Sequence, residues 1–320
     1  MRAAFTSART SFARAGLSNL SLPWLRPLVG SNPERYCRAA RLTIRAACAL
    51  LLSWILQPGT AGAQTPSPLQ EWQYSGGIVL ARLFEPHLPE WRTVAGVATE
   101  VQPVYDGSNA YRVQPGPVFN IRYKDIAFLS VGEGLGVNLL RGDHYQAGVA
   151  VAYDLGRKMS DDYTHLRGLG DIAPAPAFKA FATYVLAKKF PLVLRADVRQ
   201  IVGGANGMVG DLEAYLPLPG SSRKFVMFAG PSITYADHRY LQHVFGVDRA
   251  QSLASGYPEF GVHGGENAVG VGFSATRFIT KHWLVNLDAA VNHLRGSAEE
   301  SPIIQQRRQR VLALSTEYMW

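Results

Sequence analysis

Asn292, His293 and Ser297 place a carboxamide, an imidazole and a hydroxyl within one short stretch, the three groups of an esterase site. A serine nucleophile needs its base within hydrogen-bond reach and a third group to orient that base. The local pattern opposes this: on a strand Asn292 and His293 point to opposite faces, and Ser297 follows Gly296 at a strand end. The histidines (His87, His144, His165, His238, His243, His263, His282, His293) lack the i, i+4 pairing or cysteine company of a metal site. His238 and His243 beside Asp237 and Asp248 form their one cluster, in a long loop where solvated histidine is the ordinary outcome. Gly203-Gly204 and the Gly132 to Gly136 stretch are followed by no Lys-Ser or Lys-Thr pair to hold a nucleotide. Catalytic, metal and cofactor residues are therefore expected to be none.

What remains is a set of charges at alternate positions: Arg122, Lys124, Arg195, Asp197, Arg199, Asp211, Glu213, Asp288 and Glu317. Each sits on the face opposite a row of apolar residues. Both signs are represented, so these groups either pair with one another or line a narrow aqueous passage; a strong excess of one sign would be expected of an ion-selective pore.

The elements that carry these charges have a period of two. Leu192, Leu194, Ala196 and Val198 oppose Val193, Arg195, Asp197 and Arg199; Trp283, Val285, Leu287, Ala289 and Val291 oppose His282, Asn286, Asp288 and Asn292. The same alternation runs through 117–124, 208–216 and 270–276, and a period of two means strands. Twelve strands are expected: Glu71 to Leu83, Arg92 to Val104, Arg112 to Lys124, Ile126 to Leu140, His144 to Asp154, Phe178 to Lys188, Phe190 to Val202, Gly207 to Leu216, Lys224 to Ala236, Ala268 to Thr280, His282 to Leu294 and Arg308 to Trp320. Without the first two the number is ten. Their length suits a tilted span of a bilayer better than a soluble sandwich.

Alternation alone does not separate a sandwich from a membrane barrel; the chain ends do. Of the net charge of +8, +7 is carried by the first 63 residues, which hold eight arginines against Glu34 and leave 24 basic and 23 acidic residues after them. Nucleic acid is thereby disfavoured as a partner. The arginines lead into an apolar segment, Ala46 to Leu56, then Pro58-Gly59 and Ala61-Gly62-Ala63. A basic flank, short apolar core and small residues at −3 and −1 predict a signal peptide over 1–63, cleaved after Ala63, with the barrel over 64–320. As a helix the core spans about 16 Å, half a bilayer. Cys37 and Cys48 both fall within this leader, so disulfides and thiolate chemistry are excluded from the processed chain. At the other end, Tyr318 and the terminal Trp320 form the aromatic signature that barrel proteins present to the barrel-assembly machinery. The expected fold is all-β, a transmembrane antiparallel β-barrel in the outer membrane of a Gram-negative bacterium. The abrupt reversals at 123–125, 188–191 and 280–282 predict periplasmic turns, and the long connections 156–176 and 237–267 outer loops.

Several stretches resemble the MltA-interacting protein and OmpV family of outer-membrane proteins: GLGDIAPAPAFKAFATYVLA from Gly168, PLVLRADVRQIVGGANGMVGDL from Pro191, FGVDRAQSLASGYP from Phe245 and TKHWLVNLDAAVNHLRGSAEESPI from Thr280. The resemblance runs from about Tyr105 to Trp320, and the Phe245 stretch is its most specific part. It implies an outer-membrane barrel, in one branch a scaffold joining a murein-degrading lytic transglycosylase to a murein synthase. Other members act in osmolarity response or antibiotic uptake, so a narrow pore for small solutes is the alternative. The resemblance carries no catalytic or cofactor residues.

Overall fold

The structure is a computed structural model that describes residues 89–186, 191–222 and 224–320. The leader expected over 1–63 and the strand expected over Glu71 to Leu83 lie outside the described residues.

Twelve strands are described: β1 (Trp91–Pro103), β2 (Tyr111–Tyr123), β3 (Ala127–Ser130), β4 (Gly134–Arg141), β5 (Tyr145–Asp154), β6 (Ala175–Val185), β7 (Val193–Ile201), β8 (Gly207–Pro217), β9 (Phe225–Ala236), β10 (Gly265–Phe278), β11 (Trp283–Leu294) and β12 (Arg308–Met319). Each pairs antiparallel with its chain neighbours, and β1 closes on β12 from Val94 opposite Met319 to Val101 opposite Leu312. Closure gives every strand a neighbour on each side, so that most of the wall's backbone groups find partners within it.

One expected strand divides. The stretch Ile126 to Leu140 forms β3 and β4, a hairpin reversed at Val131 to Glu133, with Gly134 at a left-handed φ of 79°. Glu133 N–H donates to Ser130 Oγ, and the Glu133 side chain turns fully into the interior. That inward carboxylate interrupts the apolar alternation a single strand would need.

The period of two sorts the side chains as expected. On β7, Val193, Arg195, Asp197, Arg199 and Ile201 are buried, and Leu194 and Val198 are exposed. Val97, Leu139, Val151, Leu212, Val271, Leu312 and Leu314 are likewise exposed on the outer surface. Such an apolar exterior would be a fault in water and is what a bilayer solvates. At the end holding the chain terminus, Trp91 meets Tyr123 at a tilt (4.7 Å), Tyr318 meets Trp283 (5.2 Å) and Trp320 (4.8 Å), and Tyr145 lies opposite Tyr184. These rings form the girdle of one interface. The connections at this end are short; that between β2 and β3 has three residues, 124–126, with Lys124 and Asp125 at φ 44° and 51°.

Candidate functional site

The interior is crossed by a ladder of alternating charge. Arg122 on β2 meets Glu133 at 3.2 Å; Glu133 meets Arg195 on β7 at 3.3 Å; Arg195 lies 3.9 Å from Asp197. Asp197 is 3.6 Å from Arg199, and Arg199 donates to Asp211 on β8 at 2.5 Å. Thr234 Oγ1 on β9 ends the run by donating to Asp211. All six ionic groups are buried. The ladder forms because alternate residues of β7 point inward and the hairpin turn delivers Glu133 between two guanidiniums. Phe181 and Phe128 pack edge to face at 5.7 Å, each beneath a guanidinium, Arg195 over Phe181 at 5.5 Å and Arg122 over Phe128 at 5.2 Å. Below them Val185, Val193, Tyr215, Phe228 and Ala290 form a second apolar cluster.

Glu213 is buried opposite Arg195 in the β7–β8 register. Asp288 accepts from Asn286 Nδ2 at 2.5 Å and Glu317 from Ser315 Oγ at 2.6 Å, both buried on the β11–β12 wall. Thus eight of the nine charges expected to face inward do so, and seven are placed as groups with a described carboxylate, guanidinium or hydrogen-bond neighbour. The ninth is corrected. Lys124 stands in the β2–β3 turn, half-exposed and 2.9 Å from Glu90, because the left-handed turn ends the strand one residue earlier. Its pKa is raised, chiefly by the hydrogen bond to Glu90. Tyr318 and Trp320 sit at the girdle end of β12. Glu133, Lys179 and Arg157 are buried charges that sequence reasoning did not single out. Lys179 was legible, since it alternates with Phe178 and Ala180 and shares the face of Ala177 and Phe181 on β6; Glu133 was hidden by the hairpin.

Above the ladder lies a polar chamber of about 170 Å³, bordered by Glu100, Gln102, Asp154, Arg157, Arg199 and Asp211. A cap closes the barrel over it. Two helices, α1 (His238–Phe245) and α2 (Arg249–Ser255), are started by Asp237 and Asp248, whose carboxylates accept from Tyr240 N–H and Gln251 N–H. The Phe245 stretch builds this cap. Phe245 is fully buried with Leu241, Val247, Val262, Leu166 and Ile303. Gln251 donates to the Leu169 carbonyl, Ser301 Oγ to the Phe245 carbonyl, and Gly256 ends α2 at φ 83°. Burial raises the pKa of Tyr105, which donates to the Ile303 carbonyl, and of Tyr240. It lowers that of Arg157, which donates to the Val244 carbonyl.

The remaining candidates are not assembled. Asn292 borders the chamber, His293 is outside the wall 4.0 Å from Glu299, and Ser297 Oγ bonds to the His263 backbone. His238 and His243 each face a backbone carbonyl, of Val262 and Arg239. Among the described residues no three His, Asp or Glu side chains are grouped to hold a metal ion.

A closed twelve-strand wall, an apolar belt, an aromatic girdle and a paired interior define a transmembrane β-barrel of the outer-membrane type. The chain belongs to the MltA-interacting protein MipA family, whose model matches residues 95–320. It is an outer-membrane protein. Among solved structures it is similar to OprB of Pseudomonas putida at 10% identity, over 64% of this chain and 49% of that one, with a TM-score of 0.34. The chain thus spans about half the length of OprB. The translocator domain of the autotransporter NalP from Neisseria meningitidis is similar at 13% identity over 78% and 94%, TM-score 0.37. The COG4313 outer membrane channel from Pseudomonas putida F1 is similar at 8% identity over 73% and 97%, TM-score 0.35. No curated protein matches.

Proposed function

We propose that the protein is a non-conducting, non-catalytic barrel that holds murein enzymes at the inner face of the outer membrane. The observation that carries this reading is an interior crossed by paired charges: the ladder spans from β2 to β9, and the cap packs at the opposite mouth. A wall so filled serves as an anchor, leaving its periplasmic rim for partners. Lys124, Arg141, Lys224 and Lys281 are exposed at four of its short turns, beside the acids Glu90, Asp125 and Asp143. A rim of both signs offers salt-dependent contacts to a protein surface of complementary charge pattern. The family name ties its namesake to MltA; for this chain we infer a lytic transglycosylase, with a murein synthase as second partner. The test is binding of the purified full chain in detergent to a purified lytic transglycosylase. Binding that weakens with salt and with Lys124→Glu plus Lys281→Glu supports the reading; no binding at low salt contradicts it. A narrow pore for small solutes is the second reading, favoured by the polar chamber.

A further inference from the structure

Among the described residues the wall is incomplete on one side of β2. All thirteen residues of β2 pair with β1, but β3 covers only Asn120 to Tyr123, and one further bond joins Val131 N–H to the Phe119 carbonyl. Strand residues present their backbone groups alternately to the two neighbours. Lys124 N–H points to the β1 side, reaching Glu90, and the Phe119 carbonyl to the β3 side, so Tyr111, Val113, Pro115 and Pro117 also face the β3 side. Among the described residues these four have no strand partner there. Two of them are prolines, which lack an N–H. The edge is therefore built to stay unzipped: a second strand would find two successive donors missing.

The side chains agree. Gln114 and Gly116 face inward and are partly exposed, as are inward residues of β1 and β10 such as Glu100 and Thr276. A Cβ at Gly116 would meet no atom within 4 Å. Val113 is 67% exposed on the outer face. Across the seam, Tyr153 of β5 donates its hydroxyl to the Val131 carbonyl and forms the facing margin. Pro117 and Pro115 lie six and eight residues above the girdle residue Tyr123. At about 3.3 Å per residue and a tilt of about 40° that is roughly 15 to 20 Å, within an apolar band about 25 Å tall and in its outer half.

We infer that this seam is a lateral binding site for an acyl chain of an outer-leaflet lipid, lying against Val113, Pro115, Pro117 and Tyr153 and reaching the space beside Gly116. The medium at this height is hydrocarbon and the flanking side chains are apolar. The prolines exclude a partner strand, and the exposed carbonyls can be hydrated from the polar interior behind them.

The test places a fluorescent bimane on Gly116→Cys in the full chain carrying Cys37→Ser and Cys48→Ser, in vesicles of dioleoylphosphatidylcholine or of its chain-brominated form. A lipid in the seam predicts that bromine quenches the Gly116→Cys label to the degree seen at the outward control Val113→Cys. It predicts no quenching at Thr276→Cys, inward on β10 between two paired strands. A Gly116→Cys label that behaves like the Thr276→Cys label overturns the site. Should Gly116→Cys fail the heat-dependent gel shift that reports a folded barrel, Gln114→Cys gives the same reading.

Discussion

Replacing Arg195 with alanine strikes the middle of the ladder. Arg195 is the largest fully buried side chain among the described residues, 3.3 Å from Glu133 and 3.9 Å from Asp197. At an effective dielectric of about 20, a pair of unit charges at that first distance attracts by about 5 kcal/mol. The contact over Phe181 adds about 1 kcal/mol. Desolvation of the guanidinium opposes both, and it is already offset in the folded protein. Removing the cation leaves Glu133 with Arg122 and Asp197 with Arg199, each short of a neighbour, and truncating one member of a buried pair costs about 3–5 kcal/mol. That loss is expected for Arg195→Ala in urea unfolding of the protein in lipid vesicles, followed by tryptophan emission and gel shift. Glu133→Ala is the matching single change, and the double variant is expected to cost less than the two together by about 2 kcal/mol. A loss below about 0.5 kcal/mol for Arg195→Ala, typical of a surface change, would refute the ladder as a structural feature.

The cap is expected to loosen separately from the wall. Phe245→Ala empties the fully buried centre of the cap and should cost about 3–5 kcal/mol there, seen as faster proteolysis of 237–264 with the barrel gel shift retained. Alkaline pH should act on the same segment. Burial holds the Tyr105 and Tyr240 hydroxyls protonated beyond their ordinary value of 10.0. Above pH 10 the opened cap therefore releases protons that the closed one keeps, so closure is at full strength below pH 10 and weakens upward from it; Tyr105→Phe should blunt that dependence in proteolysis run across pH 9 to 11. Trp320→Ala should lower the fraction of chain that reaches the folded, heat-modifiable state in cells, with little change in the stability of what has folded. Equal yields would remove the terminal aromatic from the assembly argument.

The wall was legible because alternation is a local property: β7, β8, β10, β11 and β12 can each be read from ten residues or so, and their inward charges with them. The β3–β4 hairpin was not. Its Val131-Gly132-Glu133-Gly134 reversal depends on Glu133 being drawn between Arg122 and Arg195, and Arg195 lies 62 positions away in the chain. Nor did the sequence show which way the paired charges would settle, since that depends on strand register. Arg199 reaches Asp211 because β7 and β8 pair with Arg199 opposite Val209, two residues from it. Pro115 and Pro117 were visible, but their meaning required knowing which neighbour their missing N–H groups would have faced. The Phe245 stretch stood out as specific; that it makes helix caps and a buried anchor emerged only with its distant partners Leu169 and Ser301 in place.

The blocked interior is tested most directly by planar-bilayer conductance of the purified full chain, its folded state first established by gel shift. A silent bilayer at protein levels that insert is the predicted result, for the parent and at neutral pH. Discrete, reproducible current steps whose size changes with Arg199→Gln would contradict it and make the protein a pore.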